Sequence, residues 1–226
     1  MKNFLPLISQ SPLFANVSPD ALPAMLNCIH AHRKNFAKGQ FIYPPKENIS
    51  ELALVLSGSV ILSNEDFFGN KNVLDKILPG ELCGEAYAAL NLAPQMSVQA
   101  GEESEILLIP IKKLTTVCTN ACNNHAVLIQ NLLKILANRN QQLVTKFSHI
   151  SKRSTREKLL SYLYLQSRLQ GSNTFTIPFN RQELADYLFV ERSAMSHELS
   201  KLRDEGLLDY HRSSFKLFFK ESDKLS

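Results

Sequence analysis

Hydrophobic and polar positions follow three different rhythms along the chain. Residues 13–34, "LFANVSPDALPAMLNCIHAHRK", read as a short helix. Ser18-Pro19-Asp20 supplies its start signal, a capping residue followed by proline in the first turn. From residue 35 the pattern changes to "NFAKGQFIYPPKEN", "ELALVLSGSVILSNEDFFGNKNVLDKILPGELCG" and "MSVQAGEESEILLIPIKKL". These are short runs of Val, Ile, Leu and Phe, punctuated by Gly, Pro and Asn about every 8–12 residues, which is the spacing of a β-sandwich or barrel. Phe68-Gly69-Asn70 suits a tight hairpin turn. The β region is expected over about 35–117.

The period then shifts to 3.5. With Ala126, Leu133, Asn140 and Phe147 at one heptad position, Ile129, Leu136, Leu143 and Ile150 fall at the other, and only Asn140 is polar. This stripe predicts a long helix whose seam, Ile129, Leu133, Leu136, Asn140, Leu143 and Phe147, pairs with a second copy. A buried polar residue such as Asn140 fixes register and two-strandedness. Leu128, Leu132 and Ile135 form a second stripe, suited to packing on the chain's own β domain.

A basic Ser-Lys-Arg-Ser break at 151–154 precedes another helical run to about 170, then a loop and short strand in "GSNTFTIPF". "NRQELADYLFVERSAMSHELSKLRDEGLL" reads as two short amphipathic helices joined by a corner. Asn180 and Glu183 make an asparagine form of the capping box. Leu184, Ala185 and Leu188 line the first helix, and Ala185 is small enough for a close crossing. Phe189-Val190 turn the corner. Met195, Leu199 and Leu202 at i, i+4, i+7 anchor the second helix, about 191–205, which Gly206 ends. "LLDYHRSSFKLFF" reads as a hairpin wing. Burying one face of the second helix exposes Arg192, Ser193, Ser196 and His197 in its first two turns, where a recognition helix meets base edges in the major groove. Arginine donates two hydrogen bonds to guanine O6 and N7. Lys201, Arg203 and Arg212 stand where phosphate contacts add affinity without sequence information.

Composition changes the picture little. The 226 residues are 44% hydrophobic and 20% charged, a globular balance. No apolar run approaches the roughly 20 residues of a membrane span, and "MKNFLPLISQSPLF" reads as mature chain and not as a signal peptide. A cytoplasmic protein with no membrane partner is expected. Of the net charge of +4, residues 151–226 carry 13 Lys/Arg against 10 Asp/Glu, a mild basic bias compatible with nucleic acid. Four scattered cysteines, Cys28, Cys83, Cys118 and Cys122, make no C-x-x-C and no secreted disulfide framework. There is no P-loop, no G-x-S-x-G and no zinc spacing, so neither a catalytic site nor a metal site is expected.

The order of parts, β-roll, long helix, winged helix-turn-helix, resembles the CRP/FNR family of bacterial transcription regulators over nearly the whole chain. "RQELADYLFVERSAMSHELSKLRDEGLL" carries the resemblance most specifically, supported by "KGQFIY", "LVLSGSV" and "PGELCGEAYAAL". It implies an α+β protein with a β-roll (double-stranded jelly-roll) sensor domain and N-terminal helix at 1–118, a dimerisation helix at 119–150 and a winged helix-turn-helix at 151–226. It also implies a homodimer on near-palindromic double-stranded DNA, an effector in the sensor domain, and RNA polymerase as a partner if the protein activates. Arg192 falls on the arginine that reads guanine in many members. Ser193 replaces a common glutamate and His197 a common second arginine, so the preferred site differs from the family's usual palindrome.

The sensor turn departs from the cyclic-AMP-binding members. Gly84 and Glu85 match the residues that meet phosphate and ribose there, but Gln95 and Met96 stand where Arg-Ser or Arg-Ala would neutralise the phosphate. No Lys or Arg occurs between Lys76 and Lys112. A buried anion without a cation loses its charge-assisted hydrogen bonds, so cyclic AMP is not expected. An iron–sulfur cluster lacks the clustered N-terminal cysteines of the members that hold one. Haem through His30, His32, His125 or His149, a thiol switch at Cys118 and Cys122, an unidentified small molecule and no ligand at all stay open, so the effector is unknown. The competing reading is a cytosolic ligand-binding or scaffold module whose winged helix contacts protein.

Overall fold

The computed structural model describes residues 2–65, 71–116 and 123–218. They form two compact units, Met1–Asn138 and Arg139–Ser226. One helix, α5 (Asn123–Ile150), runs through the boundary.

The first unit opens with α1 (Leu5–Gln10) and α2 (Leu22–Cys28). The single helix expected over 13–34 is therefore much shorter. Asn16 and His30 adopt left-handed backbone on either side of α2. The Ser18 carbonyl accepts from the amides of Ala21 and Leu22, so Ser18-Pro19-Asp20 closes a turn ahead of the helix. Pro23 sits in the helix's first turn, the place proline tolerates.

Eight strands follow: β1 (His32–Phe36), β2 (Phe41–Tyr43), β3 (Glu51–Ser57), β4 (Val60–Glu65), β5 (Lys71–Ile77), β6 (Leu82–Cys83), β7 (Ser97–Ala100) and β8 (Ser104–Pro110). Two short helices, α3 (Glu85–Leu90) and α4 (Ile111–Thr115), lie among and after them. The strands pair into two four-stranded antiparallel sheets, β1-β8-β3-β6 and β2-β7-β4-β5, the strand orders of a jelly roll. β4 and β5 pair as a hairpin. Its expected turn, Phe68-Gly69-Asn70, lies outside the described residues. Leu52, Ala53, Leu54 and Val55 of β3 and Ile106, Leu107 and Ile109 of β8 are fully buried, so these runs lack polar alternation. Gly58 makes the β3–β4 corner at φ +77, where a β-carbon would meet the Ser104 hydroxyl at 2.3 Å and the Glu103 carbonyl at 2.5 Å. The glycine of "LVLSGSV" is thus required by sterics.

The first half of α5 closes this core with Leu128 and Leu132 buried and Ile135 packed at its edge, as the second stripe predicts. Asn131, 4% exposed, is the polar member of that face. Its amide donates to the carbonyls of Leu13 at 3.0 Å and Ala15 at 2.7 Å, tying α5 to the N-terminal segment.

The second unit holds the last turns of α5, then α6 (Thr155–Gln170), β9 (Thr174–Thr176), α7 (Arg181–Leu188), α8 (Arg192–Asp204), β10 (Leu208–His211) and β11 (Ser214–Leu217). The 151–154 break ends α5, and Ser154 caps α6 in a full capping box with Glu157. β10, β11 and β9 form a three-stranded antiparallel wing. The core is one cluster from α6, α7, α8 and the wing, with Leu159, Leu163, Leu184, Ala185, Leu188, Met195, Leu199, Leu202 and Leu208 fully buried.

Candidate nucleic-acid interface and sensor turn

The helix-turn-helix follows from local chemistry. The Asn180 side chain accepts from the Glu183 amide at 3.0 Å, and the Glu183 carboxylate accepts from the Asn180 amide at 2.7 Å. This reciprocal cap starts α7. Leu184, Ala185 and Leu188 face inward, and Ala185 lets α8 cross closely. Phe189 ends α7 in left-handed backbone at φ 53, ψ 56. For a residue with a β-carbon that conformation costs roughly 1–2 kcal/mol. The Val190 amide returns to the Ala185 carbonyl at 3.0 Å, and Glu191 caps α8.

Met195, Leu199 and Leu202 of α8 are fully buried, while Arg192, Ser193, Ser196 and His197 are exposed together in its first two turns. Lys201 and Arg212 are exposed too, Arg212 at the left-handed wing turn. Arg203 is held differently from a free surface cation: its guanidinium lies 5.3 Å from the Tyr210 ring centre. Arg181, which sequence reasoning passed over, lies 4.7 Å from the same ring and 5.1 Å from Phe215. Burial lowers the pKa of its guanidinium and the facing Tyr210 acts the other way; an arginine nonetheless stays charged. Two cations of α7 and α8 are thereby fixed against the wing. Only the i-to-j folding of the wing over α7 brings them together, so no local pattern marks Arg181.

Arg156, at the start of α6, donates to the Glu198 carboxylate at 3.2 Å and grips Glu205 with both guanidinium nitrogens. These bonds hold the Glu205 pKa below its usual value and raise that of Arg156. They pin α8 to the helix that follows the long α5. His149, in the last turn of α5, is buried, with Nδ1 2.7 Å from the Ser161 hydroxyl and its ring edge-on to Tyr162. Burial first, and then Lys152, lower its pKa.

In the first unit, the β6–α3 turn brings Gly84 and Glu85 against Tyr43. Gly84 is at φ +79, and a β-carbon there would meet the Tyr43 hydroxyl at 2.5 Å. That hydroxyl donates to the Cys83 carbonyl at 3.2 Å. Burial, then Cys83, Glu85 and Glu51, push its pKa well above normal. Glu85 is 1% exposed. Gln95 is exposed on the loop before β7, and Met96 packs at the core's edge. A neutral amide and a thioether at these two positions carry no cation for a phosphate. Of the haem candidates, His30 and His32 are exposed, and His125 and His149 are buried. Cys28 is exposed and Cys83 buried; Cys118 and Cys122 lie outside the described residues.

On α5, Leu133, Leu143 and Phe147 are each about two-thirds exposed and Asn140 is exposed, while Ile129 and Leu136 are half-buried. Leu136 leans on its own unit's core.

Two family models match in tandem: a cyclic nucleotide-binding domain over residues 33–121 and a Crp-like helix-turn-helix domain over residues 157–225. The chain is 26% identical over 205 residues to the cyclic AMP receptor protein of Thermus thermophilus, 88% of each chain. The crystal structure of Thermus thermophilus catabolite activator protein superposes with a TM-score of 0.50 at 24% identity, covering 92% of this chain and 94% of that one. The rice potassium channel KAT1 is 26% identical over 140 residues, 59% of this chain, but the match spans only 18% of the channel's length.

Proposed function

Because the chain belongs to the CRP/FNR family of transcription regulators, with a cyclic nucleotide-binding-like domain and a helix-turn-helix DNA-binding domain, we propose that it acts as a cytoplasmic homodimer that reads a near-palindromic DNA site with α8 in the major groove. The observation that carries this reading is the clustering of Arg192, Ser193, Ser196 and His197 on the open face of α8, above a buried Met195-Leu199-Leu202 stripe. Arg192 reads a guanine. Ser193, Ser196 and His197 make the remaining base or phosphate contacts. Lys201, Arg203 and Arg212, joined by Arg181, neutralise phosphates and set the register. No helix among the described residues is long and apolar enough to cross a membrane.

The homodimer forms along α5, with Ile129, Leu133, Leu136, Leu143 and Phe147 in the seam and Asn140 paired with its counterpart. In this register Gln130, Ala137 and Val144 carry no charge beside the basic Arg139 and Lys146, so two parallel copies meet without like-charge repulsion across the seam. The small-molecule site that the sensor domain implies takes an effector other than cyclic AMP. RNA polymerase is the partner if the protein activates.

The test is selection of bound fragments from sheared genomic DNA of the host by the purified full chain, performed anaerobically and in air. An inverted repeat with half-sites one helical turn apart, about 34 Å, is the expected product. Recovery of unrelated sequences in both conditions, with binding that tracks only salt, overturns sequence-specific reading.

A further inference from the structure

The corner between α7 and α8 holds a residue that local sterics disfavour. Phe189 occupies left-handed backbone that glycine would adopt freely, and the residue is 67% exposed. The corner is nevertheless held firmly. The Lys146 amine lies 5.0 Å from the Tyr187 ring centre and 5.3 Å from that of Phe189, and the Lys158 amine donates to the Phe189 carbonyl at 3.2 Å. With Leu143, Val144, Phe147 and Ile150, the ring of Phe189 lines an open apolar groove of about 510 Å³. A large aromatic kept in a disfavoured conformation, open to water and clamped from below, gives its own unit little in return.

We propose that Phe189 belongs to the dimer interface, with the helix-turn-helix corner of each protomer packing on the last two turns of the partner's α5. This rests on the homodimer reading above and deepens it. Three observations select a second copy as the occupant. The groove is continuous with the heptad seam, since Leu143, Phe147 and Ile150 are seam positions, and a two-fold axis brings the same apolar surface to each side. Its one charged group, Lys146, already lies over two rings, so the groove offers an acidic peptide or a nucleic acid no free cation of its own. The area also fits. A phenylalanine buries roughly 150–250 Å², so the two-thirds-exposed Phe147 and Phe189 of both protomers offer roughly 500 Å², about a third of a standard interface. The consequence is mechanical: dimerisation through α5 would fix the pose of the recognition helices directly through their corner.

The experiment uses the full chain. Phe189→Gly removes the ring and relieves the backbone, so thermal stability of the winged unit should hold or rise. The dimer dissociation constant, measured by sedimentation, should rise at least about tenfold, and Phe189→Tyr should restore it. A benzoylphenylalanine cross-linker at 189, in a mixture of isotope-labelled and unlabelled protein, should join two chains within residues 139–150. A dimer as tight in Phe189→Gly as in the wild type, or cross-links confined to one chain, overturns the inference while leaving the homodimer standing. A wild-type chain that sediments as a monomer at every concentration overturns both.

Discussion

Replacing Arg192 by alanine separates base reading from general attraction to DNA. Arg192 is the first residue of α8, exposed, and its guanidinium makes no hydrogen bond or ion pair among the described residues. Its backbone amide donates to the Glu191 carboxylate at 3.1 Å, a bond alanine keeps. Alanine is also the better helix former. Folding stability should therefore stay within about 0.5 kcal/mol of wild type, and any change in DNA affinity comes from the interface. If the guanidinium meets guanine O6 and N7, its loss costs about 1–3 kcal/mol in each half-site. That is roughly 5- to 150-fold per half-site, and the effect compounds across a symmetric site. The assay is equilibrium binding of both proteins to a panel of operators, each carrying one symmetric base-pair change, at two salt concentrations. The variant should lose discrimination at one position only, and on the operator lacking that guanine the two proteins should bind alike. A loss of equal size on every operator, with a salt slope shallower by about one, would make Arg192 a phosphate contact and refute its assignment as the base reader. Lys201→Ala is the internal control, for which that uniform loss is the expected result.

Changing Leu143 and Phe147 together to glutamate places two charges per chain in the seam at positions that touch little of their own unit. Dimers should vanish by sedimentation and specific DNA binding should go with them, and a surviving dimer would relocate the seam. His149 predicts a pH dependence. Its folded pKa lies below the ordinary value of about 6.5, so the stabilisation is complete above that pH and is lost as the pH falls from there toward the lowered folded value, at up to about 1.4 kcal/mol per pH unit. Thermal melts should steepen downward over that window, and His149→Gln should flatten the profile. Gly84→Ala puts a β-carbon 2.5 Å from the Tyr43 hydroxyl at φ +79, so the sensor domain should lose roughly 1–3 kcal/mol in denaturant titration, with Tyr43→Phe recovering part. Asn180→Ala should lower winged-unit stability by about 0.5–2 kcal/mol through the lost cap.

What was legible in the sequence was what depends on spacing within one element. The apolar runs of β3 and β8, the Asn180–Glu183 capping box, the Met195-Leu199-Leu202 stripe and the docking face at Leu128 and Leu132 are each written in residues close together along the chain, whereas the Ser154–Glu157 box that starts α6 reads in the sequence only as a break. What escaped depends on partners far along the chain. Asn131 looks like an ordinary helix-surface amide until the carbonyls of Leu13 and Ala15 arrive opposite it. Arg181 looks like a solvated first-turn residue until the wing brings Tyr210 and Phe215 beneath it. Tyr43 ends the run "KGQFIY", but nothing local says that its hydroxyl sits where it forces glycine at 84. The N-terminal helix was overdrawn for a local reason: a capping signal followed by proline also closes a simple turn, and the left-handed residues at 16 and 30 that bound α2 are not readable from composition.

The seam shows how a periodic argument meets its limit within one helix. A stripe recurring every 3.5 residues on a straight helix of 3.6 residues per turn drifts by about 20° per heptad. Over the 28 residues of α5, that comes to roughly 80°. The drift turns the Ile129-Leu136-Leu143 side of the stripe from the first unit's core toward solvent, while Leu133 and Phe147 on the other side are equally exposed. Ile129 and Leu136 are half-buried, Leu136 against its own unit's core, while Leu143 and Phe147 are about two-thirds exposed. A partner helix must supercoil to follow such a stripe, and the end where it meets open apolar surface is the end that carries Phe189. The grip of the dimer should therefore concentrate in the last two turns of α5. Alanine replacement should then weaken the dimer more at Leu143 than at Ile129 or Leu136, and equal dissociation constants at the three positions would contradict the drift.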